Sequence, residues 1–267
     1  SLDWARPAPE AFASGRAAAP GLRSDGRALQ EQLVEEAPVT LVFNDEVALT
    51  LMATPLQAEA LALGFCLSEG LVASVDEILD LQALPAGAGL SVLIQLPEAR
   101  LQALRARRRF GAAPGGCGLC GIEDQQTLLA LPAQALPALQ LAEGAIERAL
   151  AALPGQQALN AATGGAHAAA FANPAGELLE WAEDVSRHCA LDKLIGRLAQ
   201  RRLPTPSGFA LLTSRASFEL VHKAARVGLP ALVTMSAPTA LALRAAQATG
   251  LQLFAFARPG RWTRYHP

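Results

Sequence analysis

No stretch of about 20 apolar residues in this chain of 267 is free of charge or of Pro/Gly punctuation, so the sequence predicts no transmembrane helix. The opening "SLDWARPAPE" lacks a basic-then-apolar signal pattern, and the expectation is a soluble, cytoplasmic protein with no membrane partner. Excess positive charge is absent too. A formal net charge of -2 gives no global electrostatic reason to expect nucleic acid. Cysteine is scarce: Cys66, Cys117, Cys120 and Cys189 are too few and too unevenly spaced for a disulfide scaffold, which predicts reduced thiols. Apolar residues are not scarce. At 51% they suffice for one large core or two smaller ones.

Residues 1 to 28, rich in Ala, Pro, Gly and Arg without a steady period, read as a mobile tail. A strand and helix domain is expected over 29 to 110. "VTLVFNDEVALTLMAT" (39 to 54) has two apolar strands around Asn44-Asp45, a hairpin signal. A helix should follow, with Thr54 as cap, Pro55 in its first position, Gln57 completing a capping box and Gly70 closing it. Cys66 lies in that apolar helix and reads as a small core hydrophobe. "LSVLIQLPE" (90 to 98) is a further strand. It is followed by "LQALRARRRF", the glycine-rich segment 111 to 124 and a Leu/Ala-rich helical region over about 125 to 152.

Residues 125 to 267 read as a second domain. "HAAAFANPAGELLEWA" has two short strands around the turn formers Asn173 to Gly176. From 208 onward strands alternate with helices: "FALLTS", "ASFELVHKAARVG", "PALVTMS", "PTALALRAAQATG", "LQLFAFA". That order predicts a parallel α/β sheet.

Chemistry concentrates in "GAAPGGCGLCGIED", where Cys117 and Cys120 stand two residues apart. As zinc ligands they need two more partners. There is no second CxxC and no H-x3-5-H, though His167 and His188 could complete a site. A zinc deaminase expects H-x-E before P-C-x-x-C, whereas here the cysteines come first and His167-Ala168-Ala169 supplies no Glu. A thioredoxin-type pair normally sits after a strand at a helix start, and "GAAPGG" reads as a flexible loop instead. Sulfur carriage remains: a thiolate takes the terminal sulfur of a donor persulfide, which needs reach more than rigidity. Gly115, Gly116, Gly118 and Gly121 would leave the sulfur exposed. Arg105, Arg107, Arg108 and Arg109 could favour the thiolate, meet an acidic partner or simply be a solvated face.

Two further stretches carry polar groups. "EDVSRHCALDKLIG" (183 to 196) places Asp184, Arg187, His188, Asp192 and Lys193 around a helix start, where i, i+4 ion pairs are the plain alternative to a binding role. "NAATGGAHAAAF" sets a Gly-Gly turn just before His167, which reads either as a satisfied core side chain or as a contact to an anionic ligand.

Taken in order, "TPLQAEALALGFCLSEGLV", "CGLCG", "TGGAHAAAF", "EDVSRHCALDKLIG", "SRASFELVHKAARVGLPALVTMSAPTALA" and "FARPGR" resemble the motifs of the formate dehydrogenase accessory sulfurtransferase family, FdhD/NarQ, over about residues 36 to 263. The resemblance implies an α/β protein, α+β overall, with a cytidine-deaminase-like three-layer C-terminal domain and a smaller β-rich N-terminal domain. It implies a cytoplasmic homodimer that takes persulfide sulfur from a cysteine desulfurase. The sulfur then passes to the molybdenum cofactor in its bis-molybdopterin guanine dinucleotide form, bound as substrate, for use by formate dehydrogenase. No permanent metal is expected. Cys117 matches the persulfide-bearing cysteine and Cys120 its partner, so both are expected to be catalytic. Phe256, Ala257, Arg258, Pro259, Gly260 and Arg261 match the segment assigned to the cofactor, and guanidinium groups at a strand end suit phosphate oxygens. His167, Asp184, Arg187, His188, Asp192 and Lys193 are expected to line the same pocket. The other reading is a cofactor-binding chaperone with structural or zinc-bound cysteines. Ser186, Cys189, Ser214 and the ending "RWTRYHP" depart from the family pattern.

Overall fold

Alternation in "APVTLVF" decides how the N-terminal half folds. In β3 (Ala37–Phe43) every second side chain is buried, Val39, Leu41 and Phe43 facing the core, which stabilises by about 1.5–3 kcal/mol for each large side chain. The turn at Asn44 and Asp45, both with φ near +50°, returns the chain as β4 (Val47–Ala53) in the expected hairpin. β6 (Gly89–Gln95) then pairs in parallel with β3, and β5 (Asp80–Ala86) completes a four-stranded sheet in the order β4-β3-β6-β5. The computed structural model describes residues 3–108, 129–133 and 135–265, apart from the side chains of 3 and 106–108. Cys117 and Cys120 lie outside the described residues.

Residues 9–22, expected within the tail, carry α1 (Pro9–Ser14) and β1 (Arg16–Leu22). The strand is completed by β2 (Ala28–Val34), an antiparallel partner whose existence no local period in the Ala/Gly-rich segment announces. The helix after β4 also starts later than expected. α2 (Ala58–Ser68) begins after Gln57, which sits at φ +55° without a side-chain cap, and Thr54 is used elsewhere, as described below. Gly70, at φ +66°, follows its end as expected. α3 (Glu98–Arg108) leads toward the cysteine segment.

Where a helical run was expected over about 125 to 152, residues 135–144 are irregular and among the described residues of that run only α4 (Ala145–Ala152) is helical; Pro137, and Pro132 before it, break the periodicity. After α5 (Ala158–Thr163), β7 (His167–Ala172) and β8 (Leu178–Asp184) form the second hairpin. Then come α6 (Arg187–Gln200), β9 (Phe209–Leu212), α7 (Phe218–Arg226), β10 (Ala231–Thr234), α8 (Ala240–Thr249), β11 (Gln252–Arg258) and β12 (Arg261–Arg264). β9, β10 and β11 are parallel, as their alternation with helices predicts, and the sheet order is β12-β11-β10-β9-β7-β8. The sheet is mixed, because β7 joins β9 antiparallel. Helices α6, α7 and α8 pack on one face through Leu191, Leu194, Leu220 and Ala246; α4 covers the other over Phe209, Leu211 and Val233. This is the three-layer α/β arrangement.

The two halves meet where α2 crosses α6. A Cβ on Gly64 would stand 1.7 Å from the Asp192 carbonyl oxygen, and one on Gly196 would stand 1.9 Å from that of Ala60. Each glycine therefore lets the backbone of the opposite helix approach where any other residue would collide. Among the described residues no helix is long and apolar enough to cross a membrane.

Candidate functional site

Parallel strands end on one side of a sheet, and the loops leaving them build a shared rim. Here the rim is stitched together by backbone bonds. Ser236 N–H donates to Ser214 O, Thr239 N–H to Ala216 O and Phe256 N–H to Ser236 O, joining the loops after β9, β10 and β11. β7 begins and β8 ends on the same rim, where His167 and Asp184 stand opposite each other in register.

At the β11 end, Phe256 has φ +53° and is exposed, and the pairing with β12 shifts between Ala255 and Arg258. This bulge turns the strand end outward. Pro259 and Gly260, the latter at φ +76°, make the turn into β12. Arg258 donates to the carbonyl oxygens of Met235 and Ala257, which pins part of its guanidinium to the rim; Arg261 is exposed. Ala257 itself is buried. The 256–261 segment and His167 are three strand spacings apart, about 14 Å along the rim. A ligand touching both must be extended.

At the other end, four ionisable side chains converge. His188, in the first turn of α6, donates from Nε2 to Glu219 Oε2 at 3.2 Å, and the Ser217 hydroxyl donates to the same oxygen at 3.0 Å. The His188 hydrogen bond, working against partial burial and aided by Ser217 and the charges of His188 and Arg187, lowers the Glu219 carboxyl to about 2. Arg187 is half-buried and its Nε has no hydrogen-bond partner among the described residues. Burial, then the Arg187 charge, pulls the His167 imidazole below its ordinary value, while Asp184 pulls the other way. Glu219 and Ser217 were not singled out by sequence reading. The spacing Ser-x-Glu at a helix start was the available signal, but its partner His188 is remote in sequence.

Asp184, Asp192 and Lys193 were expected to line this rim, and the structure places them beneath it. All three are at most 2% exposed. Lys193 Nζ lies 2.5 Å from Asp184 Oδ2 and donates to the Thr54 carbonyl at 2.9 Å. Asp184 also accepts the Thr54 N–H (3.1 Å) and the Ser186 N–H (2.7 Å), and Val185 N–H reaches the Thr54 hydroxyl. Thr54 thus locks the β4–α2 turn to the β8–α6 turn instead of capping α2. Asp192 serves a second knot: it accepts from Ser68 Oγ (2.6 Å) and Lys223 Nζ (2.9 Å), and Lys223 also reaches Glu69 at 2.7 Å. Burial pulls Lys223 down, but Asp192 and Glu69 outweigh it and raise the ammonium above its ordinary range. The reason is desolvation: charges this deep persist only when paired, so they are spent on the joint between the halves.

The two described cysteines are equally withdrawn. Burial, with Asp192 beside it, pushes the Cys66 thiol up to about 12, and burial with Asp184 does the same to Cys189. Thiols held there are poor nucleophiles at neutral pH. Arg105 is tied to Glu46 and Glu98. The Arg107, Arg108 and Arg109 side chains lie outside the described residues. No group of three His, Cys, Asp or Glu side chains converges as metal ligands among the described residues.

Residues 34–267 match the model of the FdhD/NarQ family. The chain is 47% identical over 232 residues to a Burkholderia cenocepacia protein named sulfur carrier protein FdhD, covering 84% of this chain and 83% of that protein. It is 43% identical to a Xanthomonas euvesicatoria protein of the same name, covering 86% and 82%. In fold it is similar to the crystal structure of a proposed formate dehydrogenase accessory protein from Desulfotalea psychrophila, with a TM-score of 0.75 at 22% identity over 94% of this chain and 96% of that one.

Proposed function

The chain belongs to the FdhD/NarQ family, and from that premise we propose that it is a sulfur carrier serving formate dehydrogenase, with Cys117 and Cys120 as its working thiols. The observation that carries this reading is the state of the other cysteines. Cys66 and Cys189 are buried and their thiols are pushed to about 12, which leaves the CxxC pair to do sulfur chemistry.

In this reading a cysteine desulfurase is the donor. The Cys117 thiolate attacks the terminal sulfur of the donor persulfide; the donor S–S bond breaks, its thiolate leaves, and Cys117 carries the persulfide. Cys120 discharges it by attacking the inner sulfur, which forms a Cys117–Cys120 disulfide and releases hydrosulfide. A thiol reductant resets the pair. The acceptor is the molybdenum cofactor in its bis-guanine-dinucleotide form, held as substrate along the rim: Arg258 and Arg261 toward phosphate oxygens, Phe256 exposed beside them, and the His167 end some 14 Å away. An extended dinucleotide suits that length. Sulfur replaces an oxygen ligand of the metal, and the product goes to formate dehydrogenase. The same reading has a cytoplasmic homodimer whose C-terminal layers are cytidine-deaminase-like in fold without deaminase chemistry.

Intact-protein mass spectrometry after incubation with a cysteine desulfurase and cysteine tests it. The expected result is a reductant-reversible gain of one sulfur in the native protein, absent in Cys117→Ala. Stoichiometric zinc with both thiols blocked, and no sulfur gained, would overturn it.

A further inference from the structure

Exchanging a metal-bound oxygen for sulfur is a proton-transfer problem. When the hydrosulfide released by Cys120 replaces an oxo group, the metal–oxygen bond breaks, a metal–sulfur bond forms and the proton of the hydrosulfide leaves with the oxygen as hydroxide. The metal's oxidation state does not change. A side chain that accepts a proton from sulfur and returns it to oxygen must hold a free acceptor at rest. Arginine has none, and the carboxylates of Asp184 and Glu219 are taken by other partners, whereas a neutral imidazole offers an acceptor and a donor together.

The rim holds two histidines in different states. His188 is committed to Glu219 at 3.2 Å. His167 is half-exposed at the first position of β7, and its ring makes no hydrogen bond among the described residues. The charged groups around it are Arg187 and His188 from α6 and Asp184 from β8. Just past β9, the Thr213 hydroxyl is already bonded to Ala168 N–H. Asp184 would ordinarily capture such an imidazole, but it is spent on Lys193, Thr54 and Ser186. Arg187 is the complementary group. Its buried Nε lacks an acceptor, and its charge acts on both His167 and Glu219. Glu219 is already taken by His188 and Ser217. An anionic oxygen or sulfur at the His167 end would complete Arg187.

We propose that His167 is the proton carrier of sulfur delivery and that Arg187 holds the anionic sulfur or oxygen beside it. The inference rests on the sulfur-carrier reading above and adds roles to two residues of the same rim. His167 takes a proton from the incoming S–H as the metal–sulfur bond forms, passes it to the departing oxygen and ends neutral. Arg187 serves twice: its charge, added to burial, favours the neutral form of His167, and its guanidinium balances the anion in front of it.

The test uses full-length protein loaded with persulfide by a desulfurase, then mixed with the molybdenum guanine dinucleotide cofactor, while discharge, read as sulfur gained by the cofactor, is followed by mass spectrometry across pH 5 to 8. His167→Gln should discharge sulfur about a hundredfold more slowly and lose the acid limb of the native profile. Imidazole should restore discharge in His167→Ala. Arg187→Gln, which removes the neighbouring charge, should move the acid limb to higher pH. A His167→Gln profile that keeps the native acid limb, or a His167→Ala protein that folds and gains nothing from imidazole, overturns the proposal. A native protein that loads sulfur and never yields it to the cofactor overturns the delivery reading itself, and this proposal with it.

Discussion

Lys193→Met keeps most of the side-chain stem and deletes the one cation that neutralises Asp184. Both groups are fully buried, 2.5 Å apart, and the Thr54 carbonyl loses its donor at the same time. Removing one partner of a buried pair leaves an uncompensated charge, which costs about 3–5 kcal/mol. That is a large fraction of the roughly 5–15 kcal/mol that holds a typical domain. For a chain of this size it lowers Tm by about 6–20 °C, at about 2–4 °C per kcal/mol. The double variant Asp184→Asn, Lys193→Met removes both charges and should be more stable than Lys193→Met alone. Urea unfolding followed by circular dichroism and tryptophan fluorescence measures both. A loss below about 1 kcal/mol for the single variant, or a double variant less stable than Lys193→Met, would refute the argument that these charges are kept only by each other.

Gly64→Ala should cost at least about 1–3 kcal/mol, because a Cβ at 1.7 Å from the Asp192 carbonyl must push α2 off α6; the same urea titration reads it, and a neutral result would show that the helices have room to part. Glu219 ionises near 2 in the folded chain and near 4.3 when unfolded, so its contribution is complete above about pH 5 and fades as pH falls toward 2. Glu219→Gln should accordingly flatten the acid side of the stability curve, and an equally steep loss in the variant would contradict the His188 pairing. Arg258→Ala should weaken binding of guanosine diphosphate, taken as the terminal fragment of the cofactor, by about tenfold or more in calorimetry, as expected for losing a charge-assisted hydrogen bond of about 1.5–3 kcal/mol. Unchanged affinity would remove Arg258 from the phosphate end of the rim.

Local signals were the legible ones. Asn44-Asp45 and Asn173 to Gly176 carry their turns in the residues themselves, and the strand and helix alternation after 208 states its own parallel sheet. Arg258 at a strand end was equally readable. What stayed hidden depends on remote partners. β1 is a strand only because β2 pairs with it, and Thr54 leaves its capping role because Asp184 and Lys193, some 130 positions away, compete for it. Asp192 and Lys193 looked like pocket residues for the same reason: charge in a sequence carries no depth, and only packing shows that these face another helix.

The paired glycines at the α2–α6 crossing make the two halves a single unit of inheritance. A recombinant that joined this C-terminal half to an N-terminal half bearing a side chain at position 64 could not seat its helices, and without Ser68 and Glu69 in place Asp192 and Lys223 would lose their partners across the joint. A substitution in the rim loops or the outer strands answers to one half alone, whereas an exchange of whole halves has to preserve both sides of this crossing.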